Sequence, residues 1–377
     1  MASADSDPLP PRRTRFGRTG RMVRVIGSPY YRYRHARLVH SLRVGLAMLV
    51  SILATTGINI PHGIWASVTL LVVIGGLQHH GNIRKKAAER ALGTMLGATI
   101  GLVMILQRDL IGSLPLTYLL MSVVAAICAW FAIGKPGYIA LLTAITMCIV
   151  AGHGDNLIDT GLWRTLNVMI GIVVALAFSF ALPLHATYSW RYLLADNLRA
   201  CARVYARMLS GKPFCADEQL KIFLVLSARL VQLRALIPSV AKEIDVPQTR
   251  LEEIQRLHRA LLSAIELMAT GALAHLDAAG REAFARQCGI EVRTVRATLL
   301  AMARALRFAG ATRFRIPEAS ALKEPDPALA AGLPADLQGP YWLGLRIAEQ
   351  VDRLRALLLE TESQWNIELH SRVLALG

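Results

Sequence analysis

The sequence predicts an all-α membrane protein in which a helical domain follows the membrane part. Of its 377 residues, 54% are apolar and the mean hydropathy is +0.41. A soluble protein with that composition would need an unusually large core. The formal net charge is nevertheless +16, which fits basic residues that flank lipid-embedded helices. Nucleic-acid binding would also explain the charge, but no motif supports it, so nucleic acid is not an expected partner.

An arginine-rich arm, residues 1–37, precedes the apolar part of the chain. It lacks the features of a signal peptide, so we expect a basic cytoplasmic arm. Membrane spans are then predicted at 38–59, 63–77, 91–107, 114–134, 138–152 and 165–186. The second and fifth are shorter than the ~20 residues that usually cross the hydrocarbon. None of the six predicted spans contains Asp or Glu, so no carboxylate relay for protons is expected within them.

The connections on alternate sides of the membrane differ in charge. A short basic hinge is predicted after the second span, with four cationic residues: Arg84, Lys85, Lys86 and Arg90. The connection after the fifth span instead holds Asp155 and Asp159. Since basic connections stay inside the cell, the sequence predicts a multi-pass protein of the bacterial inner membrane with both termini in the cytoplasm.

From residue 187 to residue 377 the pattern becomes that of amphipathic helices. Apolar residues step by three and four along two stretches: Leu251, Ile254, Leu257, Leu261, Ile265 and Met268, then Leu343, Ile347, Val351, Leu354 and Leu358. Helix breakers at Gly211–Pro213, Pro247, Gly280 and 317–340 predict about five helices. We expect a cytoplasmic helical domain. Its last stripe could pack within the domain or form a seam with a second copy.

A shift of the sequence by 74 residues superimposes two halves of the predicted membrane domain, 38–186. The shift pairs Gly63 with Gly137, Thr69 with Thr143, Met95 with Met169, Arg90 with Arg164 and Gly97 with Gly171. A repeat of three spans must be inverted in the membrane, and inverted repeats are typical of transporters. Because the short second and fifth spans hold matching positions, they indicate a substrate path between the repeats. The alternative is two short helices in a thinned bilayer.

Six residues make up the predicted substrate pathway: Arg43, Thr69, Arg90, Thr94, Thr143 and Arg164. Arg43 lies about a turn inside the first span, while Arg90 and Arg164 open the third and sixth. At a helix N-terminus the dipole would add to the side-chain charge and attract an anion. The alternative is that these arginines only anchor helix ends at the headgroups.

Other chemistries have little support in the sequence. There is no phosphate-binding loop and no nucleophile or metalloprotease motif, so we predict neither an enzyme nor a cofactor. His79–His80 is a poor metal pair because adjacent residues do not share a helix face, and no metal site is expected. The five cysteines show no paired spacing and should be reduced thiols.

The region 38–190 resembles the fusaric acid resistance and aromatic acid exporter family. The resemblance rests on Trp65, Thr69 and Gly76, then on the run from Arg84–Lys85 through Arg90, Gly93, Thr94 and Gly97 to Gly101. Arg43 is similar to the arginine that opens that family's first span. Arg164, Gly171 and Pro183 resemble its sixth span. Six spans followed by a helical domain also resemble the plant aluminium-activated malate channels.

The resemblance implies export of organic or aromatic carboxylate anions, by a homodimer because this chain has one membrane block. An organic anion, membrane lipid and a second copy are therefore the expected partners, and a periplasmic adaptor is left open. Two alternatives stand beside this hypothesis. One is a passive anion channel of the malate-channel type, and the other is a membrane-anchored scaffold or sensor whose helical domain does the work.

The charge asymmetry of the loops generates a topology prediction. Single cysteines introduced at Ser113 and Asn156 should react with an impermeant thiol reagent in intact cells, whereas those at Asn82 and Ser320 should react only after permeabilisation. Labelling of position 82 from outside would contradict an arrangement of six spans with both ends in the cytoplasm.

Overall fold

The computed structural model describes residues 29–75, 80–134, 137–152, 157–181, 185–209, 216–287, 292–308 and 327–367. Regular structure within these ranges is entirely helical, which confirms the all-α class for them. The first half contains helices α1 (Pro29–Arg34), α2 (Ala36–Gly57), α3 (Ile64–Ile74), α4 (His80–Ile111), α5 (Leu114–Ala132), α6 (Gly137–Ala151) and α7 (Ile158–Ala181).

The second half begins with α8 (Ala186–Leu209), α9 (Ala216–Ile244) and α10 (Gln248–Thr270). It continues through a 3₁₀ turn (Ala272–His275), α11 (Ala278–Gln287), α12 (Val292–Phe308), α13 (Pro327–Ala331), α14 (Ala335–Glu360) and α15 (Glu362–Trp365).

Four helical segments are long and apolar enough to cross a membrane: Ala36–Gly57, Lys85–Ile111, Leu114–Ala132 and Ile158–Ala181. The predicted second and fifth spans are indeed the short ones. Helix α3 has 11 residues and α6 has 15, so at 1.5 Å per residue they measure roughly 16 and 22 Å, against about 30 Å of hydrocarbon.

The basic hinge predicted after the second span is wrong. Arg84, Lys85, Lys86 and Arg90 all lie within α4, which begins at His80. Ala, Lys, Arg and Glu are strong helix formers, and Lys85 pairs with Glu89 one turn later at 3.6 Å, so the basic stretch extends the helix rather than breaking it. The longer α4 also takes in two acidic residues beyond the predicted third span, Glu89 and Asp109.

The two short helices pack on long helices from the other half of the repeat. Helix α3 packs chiefly on α7, and α6 packs chiefly on α4. Glycines allow the close approach, because a Cβ at Gly97 of α4 would lie 2.5 Å from the Thr143 carbonyl oxygen of α6. At Gly171 of α7 a Cβ would collide with the Ala66 carbonyl of α3.

Helices α8 to α15 share one hydrophobic core, and Leu198, Leu233, Ile265 and Leu299 are among its fully buried members. The start of α8 is capped across the domain by Glu243 at the end of α9. Its two carboxylate oxygens accept the N–H groups of Ala186 and Thr187 at 2.9 Å each. An anionic cap of this kind stabilises the positive end of a helix.

Two details of the predicted helical domain differ from the structure. Gly280 does not break a helix, because it lies in the first turn of α11, where its N–H donates to the Asp277 carboxylate at 2.7 Å. The apolar stripe of α14 is covered by its own chain, since Ile347, Val351 and Leu354 are buried in the shared core. The stripe therefore offers no exposed seam to a second copy.

The glycine contacts generate a packing prediction. Gly97→Ala or Gly171→Ala should push a short helix off its long partner, at a cost of roughly 1–3 kcal/mol in the free energy of unfolding. The measurement is the unfolding midpoint of the purified protein in detergent.

Gly45→Ala is the matched control, because nothing lies within 4 Å of a Cβ at Gly45 in α2. An unfolding midpoint that falls equally in all three variants, or in none, would contradict the proposed close packing.

A buried histidine makes the second half sensitive to acid. His258 of α10 is fully buried, and its Nε2 lies 3.5 Å from the Asn197 amide nitrogen. Burial lowers the pKa of His258 from 6.5 to about 4. A histidine with a lowered pKa binds its proton more readily in the unfolded chain, so stability is complete above pH 6.5 and falls between pH 6.5 and pH 4.

The shift from 6.5 to about 4 corresponds to a loss of about 2 kcal/mol of unfolding free energy on going from pH 7 to pH 5. His258→Gln should remove this acid-dependent loss, as measured by chemical unfolding at both pH values. The exposed His275 provides the control, since His275→Gln should leave the loss intact. An unchanged acid loss in His258→Gln would contradict the assignment.

Candidate functional site

The arginines of the predicted pathway lie inside the protein rather than at its lipid-facing surface. Arg43 on α2 is fully buried, Arg90 on α4 is 5% exposed, and Arg164 on α7 is half-buried. An arginine that only anchors a helix end extends its charged group to the headgroups. The burial of Arg43 and Arg90 does not fit that role.

The prediction that Arg90 and Arg164 stand at helix N-termini is wrong. Helix α4 begins at His80 and α7 at Ile158, so Arg90 lies about 15 Å along its helix and Arg164 about 9 Å along its own. Because the dipole effect is confined to the first turn, it adds little at either arginine. The charge in this region comes from the guanidinium groups themselves.

Arg90 lies in a group of buried polar atoms that have no partner. Its Nε, the Thr94 hydroxyl one turn further along α4, and the Tyr138 hydroxyl at the start of α6 all lack a hydrogen bond among the described residues. Arg90 and Tyr138 lie close enough to interact electrostatically. Between them, Gly93 brings the two helices together, because a Cβ there would lie 2.9 Å from the Ile139 carbonyl oxygen.

We call Arg90, Thr94 and Tyr138 the inner donor group. Buried polar atoms without a hydrogen bond are rare in proteins, because each one costs about 1–3 kcal/mol. All three can donate a hydrogen bond, and one of them carries a positive charge. Together they can therefore bind an oxyanion.

The two threonines paired by the repeat differ in their hydrogen bonding. Thr69 on α3 is fully buried and its hydroxyl has no partner, while its Cβ adjoins Gly171 of α7. Thr143 on α6 is also buried, but its hydroxyl donates to the Ile139 carbonyl oxygen at 2.9 Å. Thr69 is thus available to a ligand, whereas Thr143 satisfies its own helix.

Arg43 is held by a neighbouring histidine. Its Nη2 lies 2.9 Å from Nδ1 of His40, one turn earlier on α2. The other ring nitrogen of His40, Nε2, lies 3.2 Å from the carbonyl oxygen of Gly75, where α3 ends. Sequence analysis placed His40 at the membrane interface, but the side chain is only 9% exposed.

Arg164 has a similar position at the other short helix. Its Nη1 donates to the carbonyl oxygen of Ile149, near the end of α6. Gly75 and Ile149 are 74 residues apart, so the repeat pairs the two carbonyl groups that receive these side chains. Arg164 and the inner donor group lie at opposite ends of α6, separated by roughly 16 Å along the helix axis.

One buried polar residue of this region was not among the predicted site residues. Asn167 on α7 is fully buried, and its amide nitrogen donates to the carbonyl oxygens of Pro61 and Trp163 at 2.8 Å each. Its own carbonyl oxygen has no partner. An amide inside an apolar stretch was the available signal, but its repeat equivalent is Gly93, so the repeat did not mark it.

No group of three potential metal ligands occurs among the side chains that the structure describes. His79, half of the weak metal pair in the sequence, lies outside the described residues.

Two comparisons with known proteins bear on this arrangement. Residues 37–366 match the fusaric acid resistance protein family. The chain is also 37% identical over 235 residues to the inner membrane protein YeeA of Escherichia coli (strain K12). That alignment covers 62% of this chain and 66% of the relative.

Proposed function

Since this chain belongs to the fusaric acid resistance protein family, we propose that it exports organic or aromatic carboxylate anions across the bacterial inner membrane. Membership of the family confirms the resemblance seen in the sequence. It makes the chain a membrane protein, and the YeeA relative is an inner membrane protein. Substrate class, direction and mechanism are the content of the proposal.

The inner donor group is the observation that carries the proposal. An anion that leaves water needs its lost hydration replaced, and a carboxylate accepts two parallel hydrogen bonds from a guanidinium group. Arg90, Thr94 and Tyr138 offer donors in a buried position without a protein acceptor. Bound carboxylate would supply the missing partner and balance the charge of Arg90.

The helix packing supports a pathway between two inverted repeats. Under the shift of 74 residues, α3 corresponds to α6 and α4 corresponds to α7. The contact of α3 with α7 then becomes the contact of α6 with α4, and these are the two main helix contacts of the first half. The close approaches also correspond, because Gly97 meets Thr143 just as Gly171 meets Thr69.

In this proposal α2 to α7 form a six-span membrane domain, with α3 and α6 as short central helices. The apolar lengths of the four long helices and the polar buried faces of the short ones support it. Both termini and the second half, α8 to α15, lie in the cytoplasm. The working unit is a homodimer whose interface is not the stripe of α14.

A passive anion channel is the second candidate function. The observation that favours it is the make-up of the described inner donor group, which has a cation and two hydroxyl groups but no carboxylate to carry a proton. Transport that saturates and can be driven against a substrate gradient would favour the exporter, whereas flux that only follows the electrochemical gradient would favour the channel. A scaffold or sensor would show no flux.

The central test is carboxylate flux through purified protein in liposomes. Arg90→Lys keeps the charge but loses the planar fork, and Arg90→Gln loses both. We expect flux to fall in Arg90→Lys and to fall by about tenfold or more in Arg90→Gln, equivalent to ~1.4 kcal/mol. Lys85→Gln is the control, because Lys85 is 66% exposed on the same helix. Wild-type flux in both Arg90 variants would contradict the pathway assignment.

Tyr138→Phe and Thr94→Val separate ligand binding from folding. Each removes a buried hydroxyl that has no partner, so the unfolding midpoint should hold or rise. Flux should nevertheless fall several-fold, since a ligand contact worth about 1 kcal/mol is lost. Thr99→Val is the control, because Thr99 is exposed on α4 and its hydroxyl bonds only to Met95 of its own helix. Lower stability with unchanged flux would assign the hydroxyl groups a structural role.

A further inference from the structure

Three groups form a chain of hydrogen bonds where α2 meets the end of α3. Nη2 of Arg43 lies 2.9 Å from Nδ1 of His40, and Nε2 of His40 lies 3.2 Å from the Gly75 carbonyl oxygen. His40 and Arg43 are 9% and 0% exposed. The chain therefore joins a buried cation to the C-terminal end of a short helix through one imidazole ring.

The partners of His40 determine its protonation state in this arrangement. A guanidinium group only donates hydrogen bonds, so Nδ1 must accept with its lone pair. A carbonyl oxygen only accepts, so Nε2 must carry the hydrogen. The ring is therefore the neutral tautomer with its proton on Nε2, and Nδ1 cannot hold a proton while Arg43 donates to it.

The charged surroundings of His40 are almost entirely cationic. On α2 itself the other ionisable side chains near it are His35, Arg37 and Arg43, and α1 contributes Tyr33 and Arg34. Helix α3 has no ionisable residue, and α7 has none after Arg164, which lies ~20 Å before the helix end. Helix α4, which packs against the end of α3 through Ala87, brings Lys85, Lys86, Glu89 and Arg90. Glu89, the acidic member of this set, pairs with Lys85.

We propose that His40 is a proton-binding site linked to the binding of a carboxylate at Arg43. A proton from water forms an N–H bond at Nδ1, and the hydrogen bond from Arg43 to Nδ1 is lost. Nη2 of Arg43 then turns to a carboxylate oxygen, and the anion offsets the new positive charge on the ring. This inference rests on the proposed function, because it places Arg43 on the path of the anion.

The linkage is reciprocal. If protonation of His40 strengthens anion binding by some factor, the bound anion strengthens proton binding by the same factor. The contact with Gly75 is kept throughout, because the doubly protonated ring still carries a hydrogen on Nε2. The end of α3 therefore stays capped in both states, and the change is confined to the side chains of His40 and Arg43.

The direction of the pH effect follows from this linkage. Histidine is the side chain that ordinarily changes charge between pH 5 and pH 8. Anion binding should therefore be stronger at the acid end of this range and weaker at the alkaline end. Lysine, arginine and tyrosine ordinarily keep their charge state over that interval, so the other basic groups around His40 would not produce the same profile.

The test is the uptake of malate into liposomes that contain the purified full-length protein, with the same pH on both sides. Malate serves as the probe because it stays ionised and does not cross lipid unaided. At a malate concentration far below saturation, the wild-type rate should be roughly tenfold higher at pH 6 than at pH 8, within the ordinary range of coupling between two sites. His40→Gln, which keeps a donor and an acceptor but cannot titrate, should give a rate independent of pH.

His185 provides the matched control. It lies just before α8, and its ring contacts Tyr188, so His185→Gln should keep the wild-type pH profile. A wild-type rate that does not vary with pH would overturn the proton site and leave the proposed transport function standing. The same pH profile in wild type and His40→Gln would also overturn it. Absence of malate and aromatic carboxylate flux at every pH would instead overturn the proposed function.

Discussion

The close approach of two short helices to glycine faces on two long helices is the contact on which the rest of the membrane half depends. Apolar side chains gain nothing by leaving lipid for protein, so helices there associate through tight packing and buried hydrogen bonds. Gly97 and Gly171 let carbonyl groups of α6 and α3 come against the long helices. That packing buries Arg90, Thr94 and Thr69 away from lipid, in positions that bare helix surfaces could not provide.

Burial of cations at these contacts determines what the interior can accept. A buried charge is costly unless it is paired or hydrogen-bonded. Arg164 meets this requirement with a backbone carbonyl, and Arg43 partly does so with a neutral imidazole. Arg90 leaves its Nε without a partner beside two hydroxyl groups in the same condition. The described part of this interior thus favours small oxyanions over cations, and a second cation would meet only repulsion.

Much of this arrangement could be predicted from periodicity and residue size, but part of it required three-dimensional packing. The helical class, the short second and fifth helices and the importance of the glycine run follow from patterns in the sequence. Charge clustering was misleading between α3 and α4, because four basic residues suggested a turn while their helix propensity extended α4. The spacing of α14 identified an apolar face but not its partner. The roles of His40, Tyr138 and Asn167 depend on contacts between distant helices, which one sequence does not contain.

The exchange of short helices between the halves sets an order for biogenesis. Helix α3 leaves the ribosome well before α7, since Thr69 and Gly171 are roughly a hundred residues apart. At 5–20 residues per second, α3 waits about 5–20 s for its partner. During that interval the polar face of Ser67 and Thr69 has no glycine surface to cover it, and an 11-residue segment is too short to hold itself across the bilayer. Insertion of the first half is thus provisional until synthesis of the second half is nearly complete.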